Sequence, residues 1–349
     1  MKRYLALLLL IALVCTLASC SGGDGVIQDP NAKPIVDNSD KVVMSYEGAE
    51  LNSGMYAFIF SALKTNYLYL LQLYGDTEFV EDTESFWNSK TDDGKTLSQS
   101  VVKDINDHCK MILICEKMAK EYGVTLDENA VSEAEDEYND YIASYGGEKQ
   151  LEVYINRYGI TLDELRSYLD KKQLINCLQN KLCEKGGLCA VPDDTVKEQV
   201  KKEYIKAKHI YLLNSSYDGK AIDKANEILA DIKDETKKYD DFVSLSADDS
   251  ATAYPKGFLV NLEETEESYS DLLKTLKNGE YGVCQAGDGA YVLFRLDMTE
   301  EDISSKFDTV WKKLADESFS ETISLRYDMV EIDSAELDKY DIVTADIIQ

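Results

Sequence analysis

The order of apolar and polar positions divides the chain into stretches of different character. An apolar run from Leu5 to Val14 follows Lys2 and Arg3 and is too short to span a bilayer, which is the pattern of an export signal rather than a fold element. From Ser21 to about Asp40 apolar periodicity fades among Gly, Asp, Asn and Pro, so a flexible tether is predicted there, with folding beginning near Lys41. Val42 to Leu51 reads as a short strand, a tight turn at Gly48, and a return into a helix that Asn52 or Ser53 caps. That helix, rich in Tyr and Leu, is predicted to reach about Tyr74, and Gly75 to Lys95, with Trp87, reads as a loop. Leu97, Val101, Ile105, Ile112 and Met118 then recur at helical spacing until Tyr122-Gly123.

A local repeat organises the next stretch of the chain. Tyr122-Gly123-Val124-Thr125-Leu126-Asp127-Glu128 returns as Tyr158-Gly159-Ile160-Thr161-Leu162-Asp163-Glu164. In each copy the glycine suits a left-handed helix end, and Thr with Glu three residues on suits a capping box for the next helix. Helices are therefore predicted from about Asp127 to Tyr145, Glu148 to Arg157 and Leu162 to Lys185, with Gly186-Gly187 breaking the last. Two copies with dissimilar intervening sequence do not make a solenoid.

After Pro192 the pattern changes. A helix to about Lys202 leads into the β-rich run Ala207 to Leu213, then an amphipathic helix from about Ala221 to Lys237. A short helix at Tyr239 to Ser246, a Pro-Gly turn at Tyr254 to Gly257, a helix at Tyr269 to Leu276 and a strand at Ala290 to Leu296 complete this region. A long helix from Ile303 to Asp328 offers Phe307, Val310, Trp311, Leu314, Phe319, Ile323 and Leu325 for burial, and Ile342 to Gln349 is expected to add a short strand. The resulting organisation is a signal at 1–19, a tether at 20–40, a helical domain at 41–190, a second domain at 191–300, and a segment at 301–349 that returns to the helical domain.

Composition sharpens this picture in three places. With 37 basic against 66 acidic residues and a formal charge of −29, the chain is a poor partner for nucleic acid, and an anionic membrane surface repels it. Leu17-Ala18-Ser19-Cys20 at the end of the export signal resembles the bacterial lipobox, which implies that Cys20 becomes the mature N-terminus and carries the lipid. That places the protein on the extracytoplasmic face of the cell membrane. Beyond Cys15 and Cys20, six cysteines remain. Cys109 with Cys115, and Cys177 with Cys183, each lie six residues apart; on one helix that is about 9 Å of rise, too far for a disulfide and wrong for two metal ligands on one face. Buried apolar thiols are the first reading, with a cross-helix disulfide second and a metal site third.

Two stretches resemble the parvulin-type extracytoplasmic foldases of the PrsA and SurA families. Val42 to Leu51 and the run Asn156 to Arg166 are similar to the helical chaperone domain of those proteins, and residues from about Ala207 to Asp297 follow the parvulin order of elements. The resemblance implies an α+β fold, with a helical chaperone domain plus a parvulin-like domain in which a small antiparallel sheet is flanked by helices. It implies unfolded or nascent secreted polypeptides as partners, no cofactor and no metal. Carried over residue by residue, His209 in Ala-Lys-His-Ile matches the first parvulin histidine, and Asp248 falls where parvulins place a cysteine or aspartate facing the substrate amide. Tyr269 matches an aromatic wall of the proline pocket, and Phe258, after the reduced Lys256-Gly257 turn, belongs to the same substrate-binding set. Tyr291 stands where the second histidine belongs, placed to donate one hydrogen bond to His209 or Asp248, and Ala286 replaces a hydroxyl residue. The paired-histidine network therefore cannot form in its usual way, which leaves peptidyl-prolyl isomerase activity open. His209 also reads as a strand histidine satisfying a core hydrogen bond, and Asp248 as a solvated carboxylate.

Two other functions compete. A lipid-anchored solute-binding protein has similar length and anchorage but needs two lobes of alternating β and α units, which the helical first half opposes. A non-catalytic scaffold or adhesin with an inactive parvulin fold is the other. Hydrolase chemistry has little support: the two histidines, His108 and His209, belong to no metal motif, no Gly-x-Ser-x-Gly occurs, and His108 reads as a helix-surface residue. The 23 tyrosines either offer client-binding surface or fill helix interfaces.

Overall fold

The computed structural model describes residues 35–74 and 82–345. The export signal, Cys20 and most of the 20–40 tether lie outside them. In chain order the elements are β1 (Val42–Tyr46), β2 (Ala49–Asn52), α1 (Ser53–Tyr74), α2 (Glu84–Trp87), α3 (Leu97–Tyr122), α4 (Glu128–Ser144), α5 (Glu148–Ile155) and α6 (Leu162–Cys183). There follow α7 (Asp193–Glu203), β3 (Tyr204–Leu213), α8 (Ala221–Lys233), α9 (Ser250–Ala253), β4 (Phe258–Asn261), α10 (Glu267–Thr275), β5 (Tyr281–Ala286) and β6 (Gly289–Leu296). α11 (Glu300–Ser324), β7 (Glu331–Ile332) and α12 (Ser334–Leu337) close the chain. The fold is α+β. It divides into two compact units: residues up to 190 with those from 315 onward, and residues 191–314.

The first unit is helical, with a three-stranded antiparallel sheet ordered β2-β1-β7. Residues 35–40, read from sequence as tether, are bound to it: the Ile35 amide donates to Arg157 O at 2.6 Å and the Gly54 amide to Ser39 O at 3.0 Å. Of the two cap candidates for α1, Asn52 does the work, its Oδ1 accepting from the Met55 amide at 2.8 Å. The expected loop from Gly75 to Lys95 contains α2, because Thr83 caps it and Trp87 is fully buried, its indole donating to Asp82 at 2.6 Å.

The two repeat copies fold differently. Gly123 and Gly159 both take the left-handed conformation, at φ 65° and 71°. Thr161 and Glu164 form the predicted capping box. In the first copy Asp127 caps instead, accepting from the Ala130 amide at 2.8 Å, so α4 starts two residues later than the Thr125 box required.

Three further expectations are corrected. Leu325, offered for burial, lies past the end of α11 and is 82% exposed, whereas Val310, Phe319 and Ile323 are buried. Ile342 to Ala345 form a turn and the rest of the expected tail strand is outside the described residues; β7 supplies the strand, pairing Ile332 with Met44. His108 is not on a helix surface but 1% exposed, because it stands three residues after Ile105 and four before Ile112, inside the apolar stripe of α3. Most of the tyrosines in this unit fill helix interfaces: Tyr158 and Tyr168 meet Phe58 edge-on at 5.7 and 6.4 Å, and Tyr138, Tyr141 and Tyr154 are buried.

The second unit is built on a four-stranded antiparallel sheet ordered β4-β3-β6-β5. The sequence pattern does not foresee β4 and β5 as separate strands. They are short, and Gly and Gln in β5 and Asn in β4 dilute any strand pattern. Alternation along β3 and β6 assigns two faces. Ile210, Leu212, Ala290 and Val292 pack under α8 with Tyr239 and Phe242, and Ile205, Ala207 and Leu293 pack under α10 with Leu273 and Leu276. This sheet is not one of the parallel β/α lobes that a solute-binding protein requires.

Candidate functional site

The face of the sheet under α10 carries the site. On β3, His209 and Tyr211 follow Ala207 at a spacing of two and so share its face, and across the ladder His209 stands opposite Leu293 and Tyr211 opposite Tyr291. Tyr211 and Tyr291 consequently stack, centroids 4.5 Å apart at 16°.

β4 pairs with β3 only from Tyr204 to Ala207, so beyond that point the backbone of β3 needs other partners. The segment after Leu245 supplies them. The Tyr211 amide donates to Ser246 Oγ at 3.0 Å, and the Ala247 amide donates to Tyr211 O at 2.7 Å. This docking delivers Asp248 to His209, with Oδ2 2.7 Å from Nε2. Tyr269 comes from the other side, its α10 held over the sheet by Arg295, whose guanidinium donates to Leu273 O at 3.0 Å and Leu276 O at 2.7 Å. The Tyr269 hydroxyl lies 2.8 Å from His209 Nδ1.

Chemistry fixes the direction of these bonds. Burial works to raise the Asp248 carboxyl, but His209 and the hydroxyls of Ser246 and Ser250 outweigh it and hold the group below its usual value, so it is ionised and can only accept. A neutral imidazole must then carry its hydrogen on Nε2, and the Tyr269 hydroxyl, whose phenol burial pushes well up, donates to Nδ1. Ser246 donates to Oδ1 at 2.8 Å and Ser250 to Oδ2 at 3.0 Å, which locks the carboxylate while its side chain stays 31% exposed.

The structure thus brings His209, Asp248, Tyr269, Tyr291 and Phe258 together. Phe258 and Tyr291 meet the imidazole edge-on at 5.2 and 5.1 Å, and the exposed Tyr254 extends the aromatic wall 5.7 Å from Phe258. The hydrogen bond expected from Tyr291 comes from Tyr269 instead: with both ring nitrogens taken, Tyr291 offers His209 only its ring. Burial pushes its phenol up to about 12. Tyr269 is 5% exposed, so it supports the histidine from below more than it walls an open recess. Ala286 is buried in the same cluster without a polar atom to contribute. Sequence reasoning passed over Ser246, Ser250, Tyr211 and Tyr254. The signal for the serines was present in Ser246-Ala247-Asp248-Asp249-Ser250, where hydroxyls flank the aspartate two residues away on each side. Among the described residues no group of three or more His, Cys, Asp or Glu converges as a metal site.

No family model and no curated protein matches the sequence. Among solved structures it is similar to PrsA from Bacillus subtilis, at 19% identity over 75% of this chain and 91% of that one, with a TM-score of 0.25. Foldase protein PrsA from Streptococcus pneumoniae is 15% identical over 85% of this chain and 97% of its own, with a TM-score of 0.33. A structure of the SurA-like chaperones PEB4 and Cj1289 from Campylobacter jejuni is 15% identical over 68% and 94%, with a TM-score of 0.19. Likenesses this loose carry no argument about the site, which stands on the chain's own residues.

Proposed function

We propose that the chain is a lipid-anchored extracytoplasmic foldase, in which the helical unit binds unfolded secreted polypeptide and the sheet unit rotates X-Pro bonds at His209. The observation that carries this reading is the clamped imidazole: His209 is held between Asp248 and Tyr269, next to a carboxylate that keeps solvent access and beside the rings of Phe258 and Tyr291.

Rotation about a prolyl bond faces a barrier of about 20 kcal/mol and takes roughly 10 to 100 s uncatalysed. No covalent step is needed. The proline ring packs on Phe258 and Tyr291, and the preceding carbonyl faces Asp248. A planar amide places more negative charge on its oxygen than a twisted one, so a fixed carboxylate beside that oxygen disfavours the planar ground state relative to the twisted transition state. His209 is a positioning residue here: with both nitrogens engaged it moves no proton, and it holds the carboxylate in place. For client binding the support is a cleft of about 670 Å³ in the helical unit, where Phe60 and Tyr340 meet Lys41, Lys339 and Asn38. The half-buried Tyr340 ring stands there among polar groups of both signs, with Lys41 and Lys339 paired to Glu336, a lining that suits an extended, unfolded segment.

A protease-coupled peptide assay tests the site, with aggregation suppression of an unfolded client measured beside it. The full chain accelerates isomerisation, and His209→Ala and Asp248→Ala each lower kcat/KM by about a hundredfold, the scale of one lost electrostatic contact. Aggregation suppression stays unchanged in both variants. A parent protein no faster than the uncatalysed reaction removes the isomerase assignment and leaves a binding module. Absence of aggregation suppression as well overturns the foldase reading in favour of a non-catalytic scaffold.

A further inference from the structure

The helical unit contains five buried free thiols, and a chain reversal brings two of them together. α6 ends at Cys183, and the chain turns back so that the Cys189 amide donates to Leu182 O at 2.8 Å. The reversal needs glycine at 187, where a β-carbon would stand 2.2 Å from that same carbonyl oxygen. Given the hydrogen bond, standard bond lengths and angles hold the α-carbons of Cys183 and Cys189 within about 6.5 Å. Disulfides span about 4.4 to 6.8 Å. Both side chains also leave the backbone toward one neighbour: the Cys183 thiol donates to Ala315 O at 3.6 Å and the Cys189 thiol to Thr322 Oγ1 at 3.4 Å, both on α11. Cys177, on the same helix as Cys183, is about 9 Å away along its axis, so the competing partner is Cys115 of α3.

We propose that Cys183 and Cys189 are a dithiol modification site that closes into an intramolecular disulfide with a small-molecule disulfide of the glutathione class as oxidant. One cysteine thiolate attacks a sulfur of oxidised glutathione, breaking its S–S bond and releasing one reduced glutathione. The second thiolate attacks the protein sulfur of the mixed disulfide and releases the other. Two electrons pass from the cysteine pair to the oxidant, and the two thiol protons end on the released glutathiones. Burial pushes the Cys183 thiol up to about 12, so in the folded chain that thiol is protonated and shielded, and closure belongs to refolding or to states in which α11 has lifted away.

The test refolds the full chain from denaturant in a glutathione buffer, quenches with an alkylating agent, and maps tryptic peptides by mass. Cleavage after Lys185 separates the two cysteines, so a link appears as two peptides joined and two hydrogens lighter. The expected product joins Cys183 to Cys189, with Cys109, Cys115, Cys177 and Cys284 alkylated. Cys115→Ser leaves the link intact. Closure is slower on the folded chain than during refolding. Alkylation of both Cys183 and Cys189 at every glutathione ratio, a link that uses Cys115 or Cys177, or a stable glutathione adduct without closure overturns the proposal.

Discussion

His108 and His209 are the two histidines of the chain, and each is buried in its own unit. Around His209 a strand edge, a helix and a docked loop converge to give both ring nitrogens a partner. Around His108 neither nitrogen has one among the described residues. Burial, and after it the nearby Lys172 ammonium, itself 1% exposed and paired with Glu137 at 2.5 Å, together lower the His108 pKa to about 3. The difference teaches that burial does not mark a functional histidine. An apolar stripe that happens to include an imidazole yields His108, whereas a polar cluster assembled from three separate elements yields His209. Only the second leaves a charged group fixed at an accessible surface.

The largest effect that separates the two is the response to acid. His108 binds its proton less tightly in the folded chain than unfolded, so its contribution to stability is fully present above about pH 6.5 and is lost as pH falls toward its folded value. The slope is about 1.4 kcal/mol per pH unit, or roughly 3 kcal/mol by pH 4, a substantial share of a domain's usual stability. Carboxylates held below their ordinary range, such as Asp248 and Asp302, add acid sensitivity of their own in the other unit. Urea unfolding at pH 7, 6, 5 and 4, followed through Trp87 in a Trp311→Phe background, reads the helical unit alone. A His108→Leu version flattens the profile by the amount stated; identical slopes with and without His108 break the comparison at its first term.

Next in size is Tyr269→Phe, which turns His209 toward the condition of His108 by stripping Nδ1 of its donor without opening a cavity. A buried acceptor left unpaired costs about 1–3 kcal/mol. The sheet unit is expected to unfold at correspondingly lower urea. Imidazole nitrogen shifts, measured where the ring is neutral, keep the Nε2–H tautomer that Asp248 fixes, while the Nδ1 resonance moves because its hydrogen bond is gone. Unchanged shifts and unchanged urea midpoint exclude the bond from Tyr269.

How far the sequence spoke differs between the same two places. Periodicity located α3, α6 and α11 closely, since each buries a continuous stripe whose spacing is local. It also held the information about His108, whose position between Ile105 and Ile112 put it inside the stripe, although polarity argued for the surface. The pairing of His209 with Asp248 was accessible only through family resemblance. The resemblance also supplied Tyr269, but as a pocket wall and not as the partner of Nδ1: it is sixty positions away, and its hydroxyl reaches the ring because Arg295 fixes the end of α10. Likewise Thr125 and Thr161 carry the same local code, yet only Thr161 caps a helix, because the carboxylate of Asp127 captured the first junction. Such choices depend on which of several nearby acceptors a packed neighbour leaves in reach.

The smallest effect is also the one least expected of a buried polar residue: at neutral pH, His108→Leu should leave the helical unit as stable as before or up to about 1 kcal/mol more stable. Both imidazole nitrogens are buried without a partner among the described residues, so the native state carries their desolvation with nothing in return. Leucine removes both polar atoms, keeps a side chain of comparable reach in the stripe of Ile105, Cys109 and Ile112, and favours the helix more than histidine does. The same replacement at His209 leaves the Asp248 carboxylate and the Tyr269 hydroxyl without their shared partner, and destabilises its unit. Urea midpoints at pH 7.5 for the two leucine variants therefore move in opposite directions. A loss of stability at His108 comparable to that at His209 means that its nitrogens are satisfied in solution, and that the two histidines are alike after all.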